Sequence, residues 1–414
     1  MNILMLGRWM PPPRRPVRAT REYQLARYLA RHHRLTLAFI NDNSDTVGAI
    51  SALRAEFGDL EFATVPRGWK SLGGAVSLAT GESCTLSYFR SEALRTRLAD
   101  RLRRARYDLV FVSSSSMIQY ALEIDPTIPL MVDYGEIDSE WWLQQAARGT
   151  FPASRFFRAE ATRLRMAEAD AARRAVCCVS ATPAADEIVR TFSSMTSTVV
   201  IRNGVDVEFF AACPRPGKEL TILFNTLLKS EGDFRDGVEF CRGTLPLIRA
   251  SIPGARFVVS SREPLESYRE EVRLVGAEVV APTIDLRLLL HSQTVAVAPL
   301  NAGTDIRSSL LEPMAGGIPV VTTAKGGDQV GARPGRDLIV ADNPADFGLQ
   351  VVRLLDSQSS RGELGAGGRG LVQTRFSWDV IGARLEQVMT DAVRRGVAPA
   401  SSSESRPISA GLGG

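Results

Sequence analysis

Short apolar runs separated by segments of helical pattern constrain this chain more than any other feature. Seven fall in the first half: ILMLG (3–7), LTLAFI (35–40), LEFATV (60–65), LVFVS (109–113), PLMVDY (129–134), AVCCVS (175–180) and STVVIRNG (197–204). Six fall in the second: TILFN (221–225), RFVVSS (256–261), AEVVAP (277–282), VAVAPL (295–300), PVVTT (319–323) and DLIVAD (337–342). Most lack the polar–apolar alternation of a half-buried strand, so they read as strands covered on both faces. Helical patterns between them, including a long one over 153–174, make each step strand–helix–strand, the unit of a parallel sheet. A polar break, AACPRPGKE (211–219), divides the two series. The expected fold class is therefore α/β, with two doubly wound Rossmann-like domains and an interdomain cleft.

Composition narrows the functional classes. With 414 residues, 44% of them apolar, the chain has ample material for two cores. A formal net charge of +4 does not argue for a nucleic-acid partner. The basic residues are nearly all arginine; the lysines are Lys70, Lys218, Lys229 and Lys325. Clustered arginines at 101, 103, 104 and 106 read as a solvated helix face. Five cysteines without CxxC spacing suggest a reducing compartment and no structural zinc. Cys177 and Cys178 lie inside a strand pattern, where cysteine behaves as a small hydrophobe. No apolar run reaches bilayer-spanning length and the N-terminus lacks a leader pattern, so the expected location is cytoplasmic.

The stretch TDIRSSLLEPMAGGIPVV (304–321) is the most informative local motif. A short helical pattern over 308–315 follows a strand and a polar loop, and Gly316-Gly317 ends it before the next strand. Strand-to-helix handovers of this kind are where α/β proteins bind ligands, because helix-start N–H groups favour anions. Glu312 sits at this handover, and its carboxylate can accept two hydroxyl hydrogen bonds from a ribose diol. Lys325, Gly326 and Gly327 lie just past the next strand, where backbone N–H groups can approach a phosphate. Asn203-Gly204 reads as a turn in which glycine supplies positive φ. In the first half, Asp138 and Ser139 follow strand 129–134, either as polar site residues or as a cap for the helix after them.

Taken together, RNGVDVEFF (202–210), LLEPMAGGIPVV (310–321), FSW (376–378) and the opening MNILMLGRWMPP resemble family 4 of the GT-B glycosyltransferases, in particular bacterial sugar transferases of exopolysaccharide loci. The resemblance implies domains at 1–212 plus a returning helix at 376–396, and at 219–375; the segment 397–414, low in hydrophobicity and rich in Ser, Gly and Pro, reads as a disordered tail. It also implies retaining transfer of a sugar from a nucleotide-diphosphate sugar to a glycan or lipid-linked acceptor. No cofactor or metal is implied, and the location extends to the cytoplasmic face of the inner membrane. In the family, a glutamate at the position of Glu312 holds the donor ribose.

The chain departs from the family pattern around that glutamate. The usual earlier acid is replaced by Thr304, with Asp305 one position off. An Asn-Lys pair is replaced by Ser308-Ser309, and the glycine after the first strand of the second domain by Asn225. Arg307 and Lys229 stand as substitute cations for the donor diphosphate. The implied site therefore comprises Asp138, Arg307 and Lys229 as catalytic candidates. The donor-binding set is Glu312, Asp305, Ser308, Ser309, Asn225, Lys325, Gly326 and Gly327. These departures also motivate an alternative of a different class: a catalytically silent GT-B protein that binds a partner in a glycan-synthesis complex. A nicotinamide-dependent oxidoreductase would share doubly wound domains, but the first turn, LGRWMPP, has no GxGxxG.

Overall fold

A computed structural model describes residues 1–8, 20–41, 46–65, 81–211, 213, 217, 219–226, 231–261, 276–280, 285–300 and 307–397. The chain divides into two compact units. One comprises Met1–Pro12, Leu29–Ile201 and Arg384–Gly414; the other comprises Pro13–Tyr28 and Arg202–Ala383.

The first unit carries strands β1 (Asn2–Gly7), β2 (Arg34–Asn41), β3 (Asp59–Thr64), β4 (Leu109–Val112), β5 (Leu130–Tyr134), β6 (Cys177–Ser180) and β7 (Ser197–Val200). They form one sheet in the order β3-β2-β1-β4-β5-β6-β7, and each pairing is parallel. Its helices are the end of α1 (Arg21–His32), then α2 (Thr46–Phe57), α3 (Cys84–Tyr88), α4 (Glu92–Arg104), α5 (Ile118–Ala121), α6 (Asp138–Arg148), α7 (Ala153–Arg174) and α8 (Pro183–Phe192). Leu4, Leu6, Val110, Val112, Leu130, Val132 and Tyr134 build one core face with residues of these helices. The cysteine pair lies in β6, buried, and burial pushes the Cys178 thiol up to about 12.

In the second unit, β8 (Thr221–Thr226), β9 (Arg256–Ser261), β10 (Glu278–Val280), β11 (Thr294–Ala298), β12 (Val320–Thr322) and β13 (Ile339–Val340) form a sheet in the order β10-β9-β8-β11-β12-β13. Its pairings are parallel too. Helices α9 (Glu231–Gly243), α10 (Leu245–Ser251), α11 (Glu312–Ala315), α12 (Ala324–Val330), α13 (Pro344–Asp356), α14 (Gln358–Arg375) and the start of α15 (Trp378–Val397) pack around it. Leu223 belongs to a core on one face, while Ile222 and Phe224 belong to a core on the other. That two-sided burial is why the strand reads as a continuous apolar run.

In both sheets the strand order reverses direction at one point, between β1 and β4 and between β8 and β11. The carboxyl ends of strands at such a switch point form a crevice, because neighbouring connections leave toward opposite faces. Arg8 and Ser113 sit at these ends in the first unit; Asn225 does so in the second.

Gly204 does not supply positive φ. An added Cβ there would lie 2.8 Å from the Trp378 ring and 3.0 Å from the Phe376 carbonyl, so close approach is what requires glycine. The Val205 N–H donates to that carbonyl at 2.8 Å, and Val205 bridges to Ser377. The NGVD and FSW motifs are thus two halves of one backbone junction. Arg21 extends it by donating to the Arg202 carbonyl and the Asn203 side chain, and Gln24 donates to Asp206.

Helix α14 is glycine-rich, a composition that weakens a helix by itself. The glycines allow backbone-to-backbone packing: a Cβ on Gly365 would fall 2.1 Å from the Gly317 carbonyl oxygen. Neither a rigid carbonyl nor a helix backbone can yield that distance cheaply. Gly365→Ala is expected to cost about 2 kcal/mol of stability, measured as a lower urea midpoint at unchanged m-value. Gly362→Ala, where a Cβ meets open space, is the control and is expected to be neutral or stabilising.

Candidate functional site

In the second unit the site begins with β8. Its strand end is buried, and Asn225 is 1% exposed. From there the Asn225 amide Nδ2 donates to Glu312 Oε2 at 3.0 Å. Glu312, 2% exposed, opens α11. The five residues before it, Arg307–Leu311, form a single π-helical turn. The helical pattern at 308–315 is therefore two segments: a π-turn, then one α-turn. Such wide turns recur at functional sites because they widen the helix and redirect its side chains. Pro313 suits the first turn of α11, since its missing N–H needs no partner there. Gly317, at φ 70°, then turns the chain toward β12.

The structure thus brings Asn225 and Glu312 into contact, with Ser309 buried on the adjoining π-turn. The backbones of Arg307 and Ser308 lie in the same turn. Lys229 and Asp305 fall outside the described residues, as does the tail from 398. Lys325, Gly326 and Gly327, where backbone N–H groups were expected to approach a phosphate, follow the end of β12. These residues lie inside the first turn of α12, capped by Thr323. The Gly326 N–H donates to Thr323 Oγ1 and the Gly327 N–H to the Thr323 carbonyl. Both glycines are buried: a Cβ on Gly326 would strike Thr322 Oγ1, and one on Gly327 would press on Val340. Their amides serve the cap, and Lys325 alone of the three is exposed.

A carboxylate in place of the Asn225 amide would face Glu312 across about the same distance, with both groups buried. Asn225→Asp is expected to lower stability by about 2 kcal/mol at pH 7.5. The deficit should shrink toward pH 5, as the pair comes to share a proton. Urea unfolding of variant and wild type at both pH values measures it.

In the first unit, Asp138 is the first residue of α6. The residue before it, Ile137, caps nothing with its side chain. Nor does Asp138 cap the helix. Its Oδ2 pairs with Arg8 Nη1 at 3.4 Å, at the end of β1. Burial raises the Asp138 carboxyl above its ordinary range, Arg8 opposes that, and Glu136 adds to it.

The cap of α6 comes from Glu168 on α7. Glu168 is fully buried and accepts from the Ser139 N–H at 3.2 Å, from the Ser139 hydroxyl, and from the Ser115 hydroxyl at 2.7 Å. Burial outweighs these donors and raises its carboxyl to about 7. Two turns earlier, Glu160, also fully buried, accepts from Ser83 Oγ, Cys84 N and Thr85 N at the start of α3. There the hydrogen bonds win, and its carboxyl lies below the usual range. Neither glutamate stood out in the sequence. One signal was present: Glu160 and Glu168 share the helical face of the buried Ala161, Leu164, Ala171 and Ala172. An acid on an apolar stripe must find donors or stay protonated.

With this geometry in place, comparison with known proteins is informative. Residues 221–357 match the family model described as Glycosyl transferases group 1. A curated relative from Corynebacterium glutamicum, a GDP-mannose-dependent monoacylated alpha-(1-6)-phosphatidylinositol monomannoside mannosyltransferase, is 32% identical over 85 residues. That alignment spans 20% of this chain and 22% of the relative. Among solved structures, sucrose-phosphate synthase from Thermosynechococcus elongatus superposes with a TM-score of 0.58 at 16% identity, covering 95% of this chain and 100% of the other. HepE from Anabaena, in complex with UDP and glucose, gives a TM-score of 0.59 at 12% identity, covering 94% and 100%. At these identities the likeness is one of fold: two parallel-sheet Rossmann-like domains of the GT-B type. Among the described residues, no helix is long and apolar enough to cross a membrane.

Proposed function

We propose that this protein transfers a sugar, with retention of configuration, from a nucleotide-diphosphate sugar to a glycan or lipid-linked acceptor in envelope or exopolysaccharide synthesis. The observation that carries the reading is the buried Glu312 carboxylate, held by Asn225 across the switch point of the second sheet. It lies inside the segment that matches the glycosyl transferase family model. The relative's name gives GDP-mannose as its donor and a mannosylated phosphatidylinositol as its acceptor. HepE was solved with UDP-glucose. Both support a nucleotide-sugar donor here. In this reading Glu312 accepts the ribose hydroxyls, and Arg307 and Lys229 meet the diphosphate charge in place of a metal. Asp138 serves the acceptor, in the cytoplasm or at the cytoplasmic face of the inner membrane.

One feature favours a second reading. Glu312 already accepts a hydrogen bond within the protein, from a residue standing where the family has glycine. A silent binding protein would tolerate that occupancy. Incubation of each common nucleotide-sugar with a bacterial membrane extract as acceptor source separates the two. Transfer is expected to release nucleoside diphosphate and give a product whose anomeric proton, read by NMR, keeps the donor's configuration. An inverted product refutes retention, and nucleotide binding without turnover favours the silent reading.

A further inference from the structure

The chemistry proposed above leaves Glu168 unused, although it is fully buried and accepts three hydrogen bonds. It ties together two strand-end elements. Ser115 lies in the 3₁₀ turn after β4, Ser139 in the first turn of α6 after β5, and both donate to it. Tyr134, the last residue of β5, fixes the same point by donating its hydroxyl to the Glu168 carbonyl at 2.6 Å. A helix start normally satisfies its free N–H groups with its own N-cap side chain. Here Ile137 offers none, and the group comes from another helix. The consequence falls on the neighbouring residue. Asp138, the first residue of α6, lies against Arg8 at the carboxyl end of β1.

We propose that Glu168 is the positioning residue of the first unit: by capping α6 in trans, it holds the Asp138 carboxylate at the carboxyl edge of the sheet, free of the helix and oriented by Arg8, to act on an acceptor hydroxyl. The inference rests on the acceptor-side role given to Asp138 above. Glu160 supplies the contrast. It accepts from Ser83 Oγ and from the Cys84 and Thr85 N–H groups at the start of α3, but that helix also has its own N-cap, Ser83, whose side chain accepts from the Leu86 N–H. At Glu168 the acceptor replaces a missing N-cap side chain and borders another acid, Asp138, whose charge reaches it.

The test uses Glu168→Ala, Glu168→Gln, Asp138→Asn and the double variant Glu168→Ala/Asp138→Asn. Turnover per folded molecule and donor affinity are measured for each. Glutamine preserves the geometry, since its oxygen accepts from the Ser115 hydroxyl and the Ser139 N–H while its amide donates to Ser139 Oγ. Glu168→Ala is expected to lower kcat about a hundredfold, the scale set by misplacing a reacting group by about 1 Å, with donor Kd within about twofold of wild type. Glu168→Gln is expected to recover to within about fivefold of wild type. The double variant should be no slower than Asp138→Asn alone, because two residues acting as one unit are not additive. Additive losses, a glutamine variant as slow as the alanine one, or an equal loss of donor affinity would overturn the proposal. Ser139→Ala removes one hydroxyl only and keeps the unit folded; the same pattern at about tenfold is expected. Should wild type itself fail to turn over, the function fails, and carbon-13 carboxyl NMR of Asp138 still reads positioning. Asp138 is expected to titrate above the ordinary range in wild type and Glu168→Gln, and to return to it in Glu168→Ala. An Asp138 titration identical in all three refutes the positioning role.

Discussion

Replacing Glu312 by alanine is expected to weaken nucleotide-sugar binding by about a hundredfold or more. A carboxylate that accepts two hydroxyl hydrogen bonds contributes about 1.5–3 kcal/mol for each charged bond. Because it is buried, the bonds face little competition from water. Glutamine is the sharper substitution. It keeps the volume and one acceptor oxygen, so the Asn225 amide retains its partner and the unit stays folded. It loses the charge and one acceptor, and its own amide would confront the hydroxyl that the second oxygen served. A tenfold to hundredfold rise in Kd is expected for Glu312→Gln, measured calorimetrically with the donor that binds wild type best. Unchanged affinity in both variants would mean that the nucleotide is held elsewhere.

The second large effect concerns stability and comes from Glu168. Truncation to alanine leaves the Ser139 N–H and two serine hydroxyls without an acceptor in a dry core. The expected cost is about 3–5 kcal/mol, a large share of the stability of a typical domain. The pH dependence carries a definite sign. In the unfolded chain this carboxyl titrates near its ordinary value of 4.5; in the folded protein, burial raises it to about 7. The native state therefore binds the proton more tightly. The contribution of Glu168 is fully favourable below about pH 4.5, is lost as pH rises through about 7, and is flat above that. The decrease is on the order of 3 kcal/mol for a shift of this size. Glu168→Gln does not titrate, so its stability relative to wild type should rise between pH 5 and pH 8. Urea unfolding at the two pH values measures this; a gap that does not change with pH would show that burial does not control Glu168.

Much of this was legible in the sequence. The apolar runs mark the central parallel strands because β4, β5, β6, β8, β11 and β12 are buried along their whole length, and burial from two sides leaves no alternation to misread. Glu312 stood out because an acid at a strand-to-helix handover is placed to open the next helix, and it does open α11, buried against Asn225. Its partner was half-legible: Asn225 stood out as a glycine replaced, but its amide reaching Glu312 depends on two strands brought together from far apart in the chain. The role of Gly204 was misread. A glycine after asparagine suggests positive φ, whereas the Trp378 ring packing against it is a tertiary fact. The packing of Gly326 and Gly327 into the tight start of α12 was likewise not legible, because it depends on Thr322 and Val340. Glu168 was hidden for the opposite reason. Its donors come from residues 115 and 139, and helical periodicity marks an acid on an apolar face without saying what it accepts.

Calorimetric titration of the folded wild-type protein with a panel of nucleotide-diphosphate sugars tests the central claim most directly. One donor is expected to bind at a single site with micromolar Kd, about −8 kcal/mol, and free nucleoside diphosphate should compete for that site. Absence of binding by every donor and every nucleoside diphosphate, with circular dichroism showing the protein folded, would contradict it.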